Sequence, residues 1–203
     1  MNKFLRILSI DPSGTGTTGT FSIVKGGFFP TGTKNYSFRE YQSKEWEKHF
    51  EFVVNIIEEF EPDIVLYENT NYVYGRQQSG TVGLCKLIGA IAGLKYTSVS
   101  SQKIDGVLVN TVKAFRDKVQ TGSEEIAGLS FQEGRGHGWT YWEKKISKHL
   151  VDALIIYHLW TREHLPNKEV IEQKITELKN KKRLGIRQQE QLEKYERTLK
   201  WIE

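Results

Sequence analysis

The stretch FLRILSIDPSGTGTTGTFSIV, residues 4 to 24, decides how the rest of the chain is read. Phe4 to Ile10 is almost continuously apolar, as a strand covered on both faces must be, and the run stops at Asp11-Pro12. Pro12 has no N–H to extend a ladder, so the strand ends with a carboxylate at its tip. A turn rich in glycine and threonine, Ser13 to Gly19, leads into a second apolar stretch, Thr20 to Val24. A third strand is expected near Thr33 to Phe38, and three successive strands with short connections predict an antiparallel meander.

After the meander, Trp46, Phe50, Val53, Val54, Ile57 and Phe60 recur at helical spacing, with Ser43 as the expected N-cap and Pro62 as the stop. Ile64 to Tyr67 then reads as a buried strand, and it too ends in an acid, Glu68, followed by Asn69. A third acid lies in KHLVDALIIYHLW, residues 148 to 160, a helix apolar around most of its circumference and therefore mostly buried. A carboxylate taken out of water without a partner costs several kcal/mol or neutralises itself, so Asp152 requires one. His149 stands one turn before it on the same side of the helix. Acids at the ends of two buried strands and a His/Asp pair on a buried helix together predict a divalent-metal site.

This order of elements, with acids in these places, is the layout of the ribonuclease H-like fold: a mixed sheet with a three-strand antiparallel meander plus parallel strands, and flanking helices. The sequence resembles the RuvC-type Holliday junction resolvases over residues 4 to 160. IDPSGTGTTG stands for the first motif, LYENTNY for the second and HLVDALII for the last. The resemblance implies that Asp11, Glu68, His149 and Asp152 form the catalytic, metal-binding set, His149 standing where relatives carry His or Asp. It also implies a homodimer that binds a four-way DNA junction and nicks two strands symmetrically. Hard oxygen ligands in a partly open site suit Mg²⁺, with Mn²⁺ as a substitute. Two ions about 4 Å apart would serve attacking water and leaving oxygen. His149 has two candidate roles, ligand or base, because its ordinary pKa of about 6.5 lies near working pH. A glycine- and threonine-rich loop after a first strand also occurs in sugar-kinase and actin-like ATP sites. Those need two such domains around a cleft, and 203 residues supply one plus a tail.

Three stretches are candidates for contact with DNA. Tyr72, Tyr74, Arg76 and Gln77 follow Glu68 directly, and rings there can stack on bases exposed at a junction centre. By resemblance, one of the two tyrosines acts as a wedge. Lys113, with Lys103 and Arg116 nearby, follows a strand expected around Tyr96 to Val99, and the resemblance implies a basic residue there close to the cleaved phosphate. The third is Gly134 to Trp139, where Arg135 and Trp139 supply charge and a stacking surface among three glycines. Between these, Val82 to Leu94 reads as a helix with Gly83, Gly89, Ala90, Ala92 and Gly93 in it. In the family this region contributes to the dimer interface.

Composition fits a DNA partner: 29 Lys and Arg stand against 25 Asp and Glu, a net charge of +4. The tail from residue 164 to 203 is dense in charge and reads as two helices broken at Leu184-Gly185, with a basic turn from Lys179 to Arg187. Residues 1–163 are thus the expected nuclease domain, and 164–203 a charged helical hairpin appended to it. The single cysteine excludes an internal disulfide, and no stretch of about 20 apolar residues exists. These features predict a protein of the cytoplasm, in a bacterial cell or a phage-infected host, with no membrane partner. Two other readings keep the acids: a nuclease of this fold acting on other branched DNA or structured RNA, and a junction-binding protein without catalysis.

Overall fold

The computed structural model describes residues 4–26, 35–70, 79–96, 103–133, 138–165, 168–181 and 185–202. Strands β1 (Leu5–Asp11), β2 (Thr17–Lys25) and β3 (Tyr36–Gln42) form the expected meander. Helix α1 (Trp46–Phe60) follows, then β4 (Ile64–Asn69), α2 (Ser79–Gly93) with a short 3₁₀ turn at Leu94–Tyr96, β5 (Lys103–Leu108) and α3 (Val109–Gln120). The main sheet has five strands in the order β3-β2-β1-β4-β5, with β4 parallel to both β1 and β5. It is the mixed sheet of the ribonuclease H-like layout.

A second, three-stranded antiparallel sheet follows, built from β6 (Leu129–Gln132), β7 (Gly138–Tyr141) and β8 (Lys144–Ile146). Helix α4 (Lys148–His164) carries the His/Asp pair, and α5 (Lys168–Lys179) and α6 (Ile186–Ile202) pack on each other as the terminal hairpin. Ile171 is fully buried in that hairpin, and Lys179 pairs with Glu196 at 2.7 Å.

Strand alternation sorts the core into two layers. Leu5 and Ile7 of β1, with Ile64 and Leu66 of β4, face a cluster that includes Val151, Leu154 and Ile155 of α4 and Phe115 of α3. Leu8 and Ile10, with Val65 and Tyr67, face Val53 and Ile56 of α1 and Leu87 and Ile91 of α2. Each fully buried aliphatic side chain contributes about 1.5–3 kcal/mol. The three in β1, Ile7, Leu8 and Ile10, together outweigh the several kcal/mol that a buried carboxylate at the strand's tip costs.

Several boundaries differ from the sequence reading. The third strand lies at Tyr36–Gln42 rather than near Thr33 to Phe38. It is an edge strand with alternating exposure, so its second half, Arg39 to Gln42, carries polar residues that hide it from an apolar search. Ser43 does not cap α1: the N-cap is Glu45 without a side-chain bond, and Ser43 Oγ accepts from the Glu45 N–H at 3.0 Å. The strand after α2 is Lys103–Leu108, whereas Tyr96 ends the 3₁₀ turn and residues 97–102 lie outside the described ones. Helix α3 and the second sheet were not anticipated.

Candidate metal centre

Period-two alternation aims the acids. Ile7 and Ser9 of β1 face α4, so Asp11, two positions further, faces it too, and Ile64, Leu66 and Glu68 repeat the pattern on β4. The parallel register pairs Ile10 with Tyr67, and one step on sets Asp11 beside Glu68 at the ends of neighbouring strands. Helix α4 lies across that edge. Ser9 Oγ, fully buried, donates to the Ala153 carbonyl at 2.7 Å and ties β1 to the helix one residue past Asp152. The helix start is fixed by Ser147, whose hydroxyl accepts the Leu150 N–H and donates to Glu40 on β3. Gly19 lets β2 pass beneath: a Cβ there would lie 2.5 Å from the His149 carbonyl oxygen.

These constraints bring one ligand oxygen each from Asp11, Glu68 and Asp152 within 4.8 Å of one another. Asp11 and Asp152 are 8% and 6% exposed. His149 joins through Asp11: its Nδ1 lies 2.8 Å from Asp11 Oδ2. Arg116 of α3, itself buried, sets Nη1 between both oxygens of Asp152, at 2.7 and 2.5 Å.

Electrostatics follow from crowding and desolvation. Burial pushes Asp11 up to about 6, against the opposing pull of its hydrogen bond to His149. Burial, then the charges of Asp11 and Asp152, push Glu68 up to about 7. Asp152 is raised by burial as well, although Arg116 pulls it down, and His149 is raised chiefly by its bond to Asp11. Three converging carboxylates that resist ionising together are short of positive charge. Hard oxygen donors on a partly open edge fit a divalent cation of the Mg²⁺ or Mn²⁺ kind, with Asp11, Glu68 and Asp152 able to hold it.

The other expected contacts divide. Lys113 is exposed on α3, one turn before Arg116, and its charge acts on Glu68. Trp139 is corrected: at 6% exposure, packed on Phe131 with ring centroids 4.9 Å apart, it belongs to the core and offers no surface to a base. Its β7 position turns it into the layer shared with α4. Lys103 is engaged with Asp105 at 3.8 Å and lies over the Trp160 ring. Tyr72, Tyr74, Arg76, Gln77 and Arg135 lie outside the described residues.

His49 was missed. Fully buried on α1, it contacts Thr18 Oγ1 through Nδ1 at 2.9 Å and the Ser43 carbonyl through Nε2 at 3.1 Å. Thr18 Oγ1 accepts the Ser13 N–H at 3.0 Å, and Ser13 Oγ accepts the Gly16 N–H at 2.9 Å. The loop that follows Asp11 is therefore anchored from the helix behind it. Only a lone polar residue on the apolar face of α1 signalled this in the sequence.

The sheet order β3-β2-β1-β4-β5, with β4 parallel to its neighbours, is that of the ribonuclease H-like fold. Among solved structures, Thermus thermophilus RuvC in complex with a Holliday junction substrate matches with a TM-score of 0.50 and 16% identity, covering 78% of this chain and 96% of that one. The yeast mitochondrial Holliday junction resolvase Ydc2 matches at 0.47 and 14%, covering 78% and 79%. At 16% identity the likeness to RuvC concerns the fold alone. No protein-family model matches the chain, and no curated protein does.

Proposed function

We propose that this chain is a Mg²⁺-dependent endonuclease that cuts branched DNA, four-way junctions foremost, by paired symmetric nicks from a homodimer. The observation that carries the reading is the convergence of Asp11, Glu68 and Asp152 within 4.8 Å. Divalent ions bound there, two in the reading adopted, would activate water and stabilise the leaving oxygen. Asp11, Glu68 and Asp152 hold the charge, and the anchored loop from Ser13 to Gly16 keeps Asp11 in place. With the Nδ1 hydrogen of His149 donated to Asp11, its Nε2 keeps a lone pair that can accept a proton from the attacking water. Lys113, exposed beside the cluster, is a cation for a substrate phosphate, and Tyr72, Tyr74, Arg76 and Arg135 are the further DNA contacts proposed.

Residues 1–163 form the nuclease domain in this reading, with 164–203 as its extension. The dimer is supported by α2, where exposed Val82 and Cys85 share a side with Gly89 and Gly93, at which a Cβ would meet nothing within 4 Å. A backbone so uncovered admits close approach of a second copy. The Thermus thermophilus RuvC structure, solved with a Holliday junction substrate, supports the choice of substrate.

The test is incubation with labelled four-way junction, linear duplex and flap DNA, each with Mg²⁺, Mn²⁺ or EDTA. Paired nicks in the junction alone, dependent on metal, are expected. Preferential cutting of the flap would move the reading to other branched DNA, and tight junction binding without cleavage in any metal would remove catalysis.

A further inference from the structure

The Arg116–Asp152 pair has a geometry unlike the other ion pairs of the described residues. Both side chains are about nine-tenths buried, at 10% and 8% exposure, whereas the Arg39–Glu59 and Lys179–Glu196 pairs stand well out in water. A single nitrogen, Nη1, sits between both carboxylate oxygens, so neither oxygen of Asp152 is clear of the guanidinium. Yet one of those oxygens belongs to the cluster with Asp11 and Glu68.

We infer that Arg116 is a resident counter-ion that a divalent metal must displace from Asp152 in order to bind, so that this arginine sets the metal affinity of the centre. The inference rests on the metal-dependent reading of the acid cluster. An ion ligated by Asp152 at about 2.1 Å would lie within a few ångströms of Nη1, where two cations in a buried site repel strongly. The guanidinium is anchored on α3, whose Val112, Phe115 and Val119 are packed into the core, so the side chain rather than the helix must yield. In the metal-free protein the same contact offsets part of the cost of gathering three carboxylates, since a buried acid without a partner destabilises the fold. Arg116 thus keeps the site assembled and lowers its affinity at once. A residue that merely orients a ligand does only the first.

Two measurements on the full chain test this. In the wild type, the ¹⁵N guanidinium resonances of Arg116, assigned by their loss in Arg116→Lys, are followed during titration with Mg²⁺ and, separately, Mn²⁺ binding is measured by calorimetry for wild type, Arg116→Met and Arg116→Lys. Expected are a shift of the Arg116 resonances that saturates with metal, and an Mn²⁺ affinity about tenfold tighter in Arg116→Met. Melting in EDTA should be lower in Arg116→Met and partly restored in Arg116→Lys. Resonances unmoved at saturating metal, or Mn²⁺ binding equal or weaker in Arg116→Met, would overturn the role. The resonance test needs only the conservative variant, Arg116→Lys, to fold, and does not depend on Arg116→Met. Failure of the nuclease reading has a different signature: no Mn²⁺ heat in the wild type or in either variant, which removes the metal site and the inference with it.

Discussion

Thr18 and His49 meet inside the protein at 2.9 Å, hydroxyl to Nδ1, with the Ser13 N–H resting on the same hydroxyl. This contact joins the second strand to the first helix, and it lies directly beneath the loop that leaves Asp11. Because the Ser43 carbonyl can only accept, His49 Nε2 carries the hydrogen there and Nδ1 receives the Thr18 hydroxyl. The buried Thr18 hydroxyl and both ring nitrogens of His49 are thereby satisfied.

Replacing His49 with Leu keeps the volume roughly and strips both bonds. The buried Thr18 hydroxyl loses its acceptor, though it keeps the Ser13 N–H, and the part-buried Ser43 carbonyl loses its donor, each at a cost of up to about 1–3 kcal/mol, so a clear drop in melting temperature is expected. In the proposed nuclease, junction cleavage should fall by about tenfold beyond any loss of folded protein, because Asp11 loses the backing of its loop, and His49→Gln should recover part of both. Thermal melting and single-turnover cleavage, read on the same samples, check this. Cleavage per folded molecule unchanged in His49→Leu would show that the loop needs no such support.

The centre's proton balance gives a signed pH dependence. Asp11 and Glu68 have folded values raised to about 6 and about 7, so the fold favours their protonated forms. Their contribution is complete below the ordinary carboxylate range and is lost as pH rises through those values. His149, raised by Asp11, adds in the same direction, since its stabilising charge disappears as pH climbs. His158, lowered by burial, opposes them over its own range. In EDTA the melting temperature should therefore fall between about pH 4.5 and pH 7.5. The fall should be smaller in Glu68→Gln and reversed in sign by saturating Mg²⁺, which favours the ionised carboxylates. Calorimetric melting across that range is the measurement.

Much of this arrangement was legible in the chain because its decisive residues break a pattern. Asp11 and Glu68 each end an apolar strand, and Asp152 interrupts an apolar helix, so burial alone marked all three. What escaped was legible only in three dimensions. Arg116 reads as one more basic residue near Lys113, yet on α3 its side is turned inward by Val112, Phe115 and Val119. Trp139 reads as part of a glycine-rich loop because strands of four and three residues, β7 and β8, are too short for alternation to declare itself. The meander's third strand was misplaced for the reason that edge strands are usually missed: half of it is polar.

Gly19 offers a packing test that leaves the acids untouched. A methyl group there would stand 2.5 Å from the His149 carbonyl oxygen and 2.6 Å from its carbon, both backbone atoms that cannot step aside. Gly19→Ala should cost about 1–3 kcal/mol by forcing β2 and the first turn of α4 apart. Gly89→Ala, in a helix with open space at the Cβ position, is the control and should gain up to about 1 kcal/mol in the monomer. If α2 is the dimer face, the same Gly89→Ala should weaken self-association in sedimentation, so that monomer stability and dimerisation move in opposite directions. Equal melting temperatures for Gly19→Ala and wild type would mean that α4 does not press on β2 as closely as this contact requires.

Asp152→Asn separates binding from chemistry. Asparagine keeps the shape but loses the charge on which both Arg116 and a cation depend, so one buried partner is left facing a neutral amide. A stability loss of up to about 3–5 kcal/mol bounds the cost of the unpaired guanidinium. Nicking in the proposed nuclease should drop by at least a hundredfold, while affinity for a four-way junction stays within a fewfold of wild type. Contacts between phosphates and basic side chains dominate such affinity, and none of them is removed. The melting curve establishes that the variant is folded at the assay temperature, and gel shift against cleavage on one junction then reads the two quantities side by side. Loss of junction binding together with nicking in a folded variant would place Asp152 in the DNA interface instead of the metal centre.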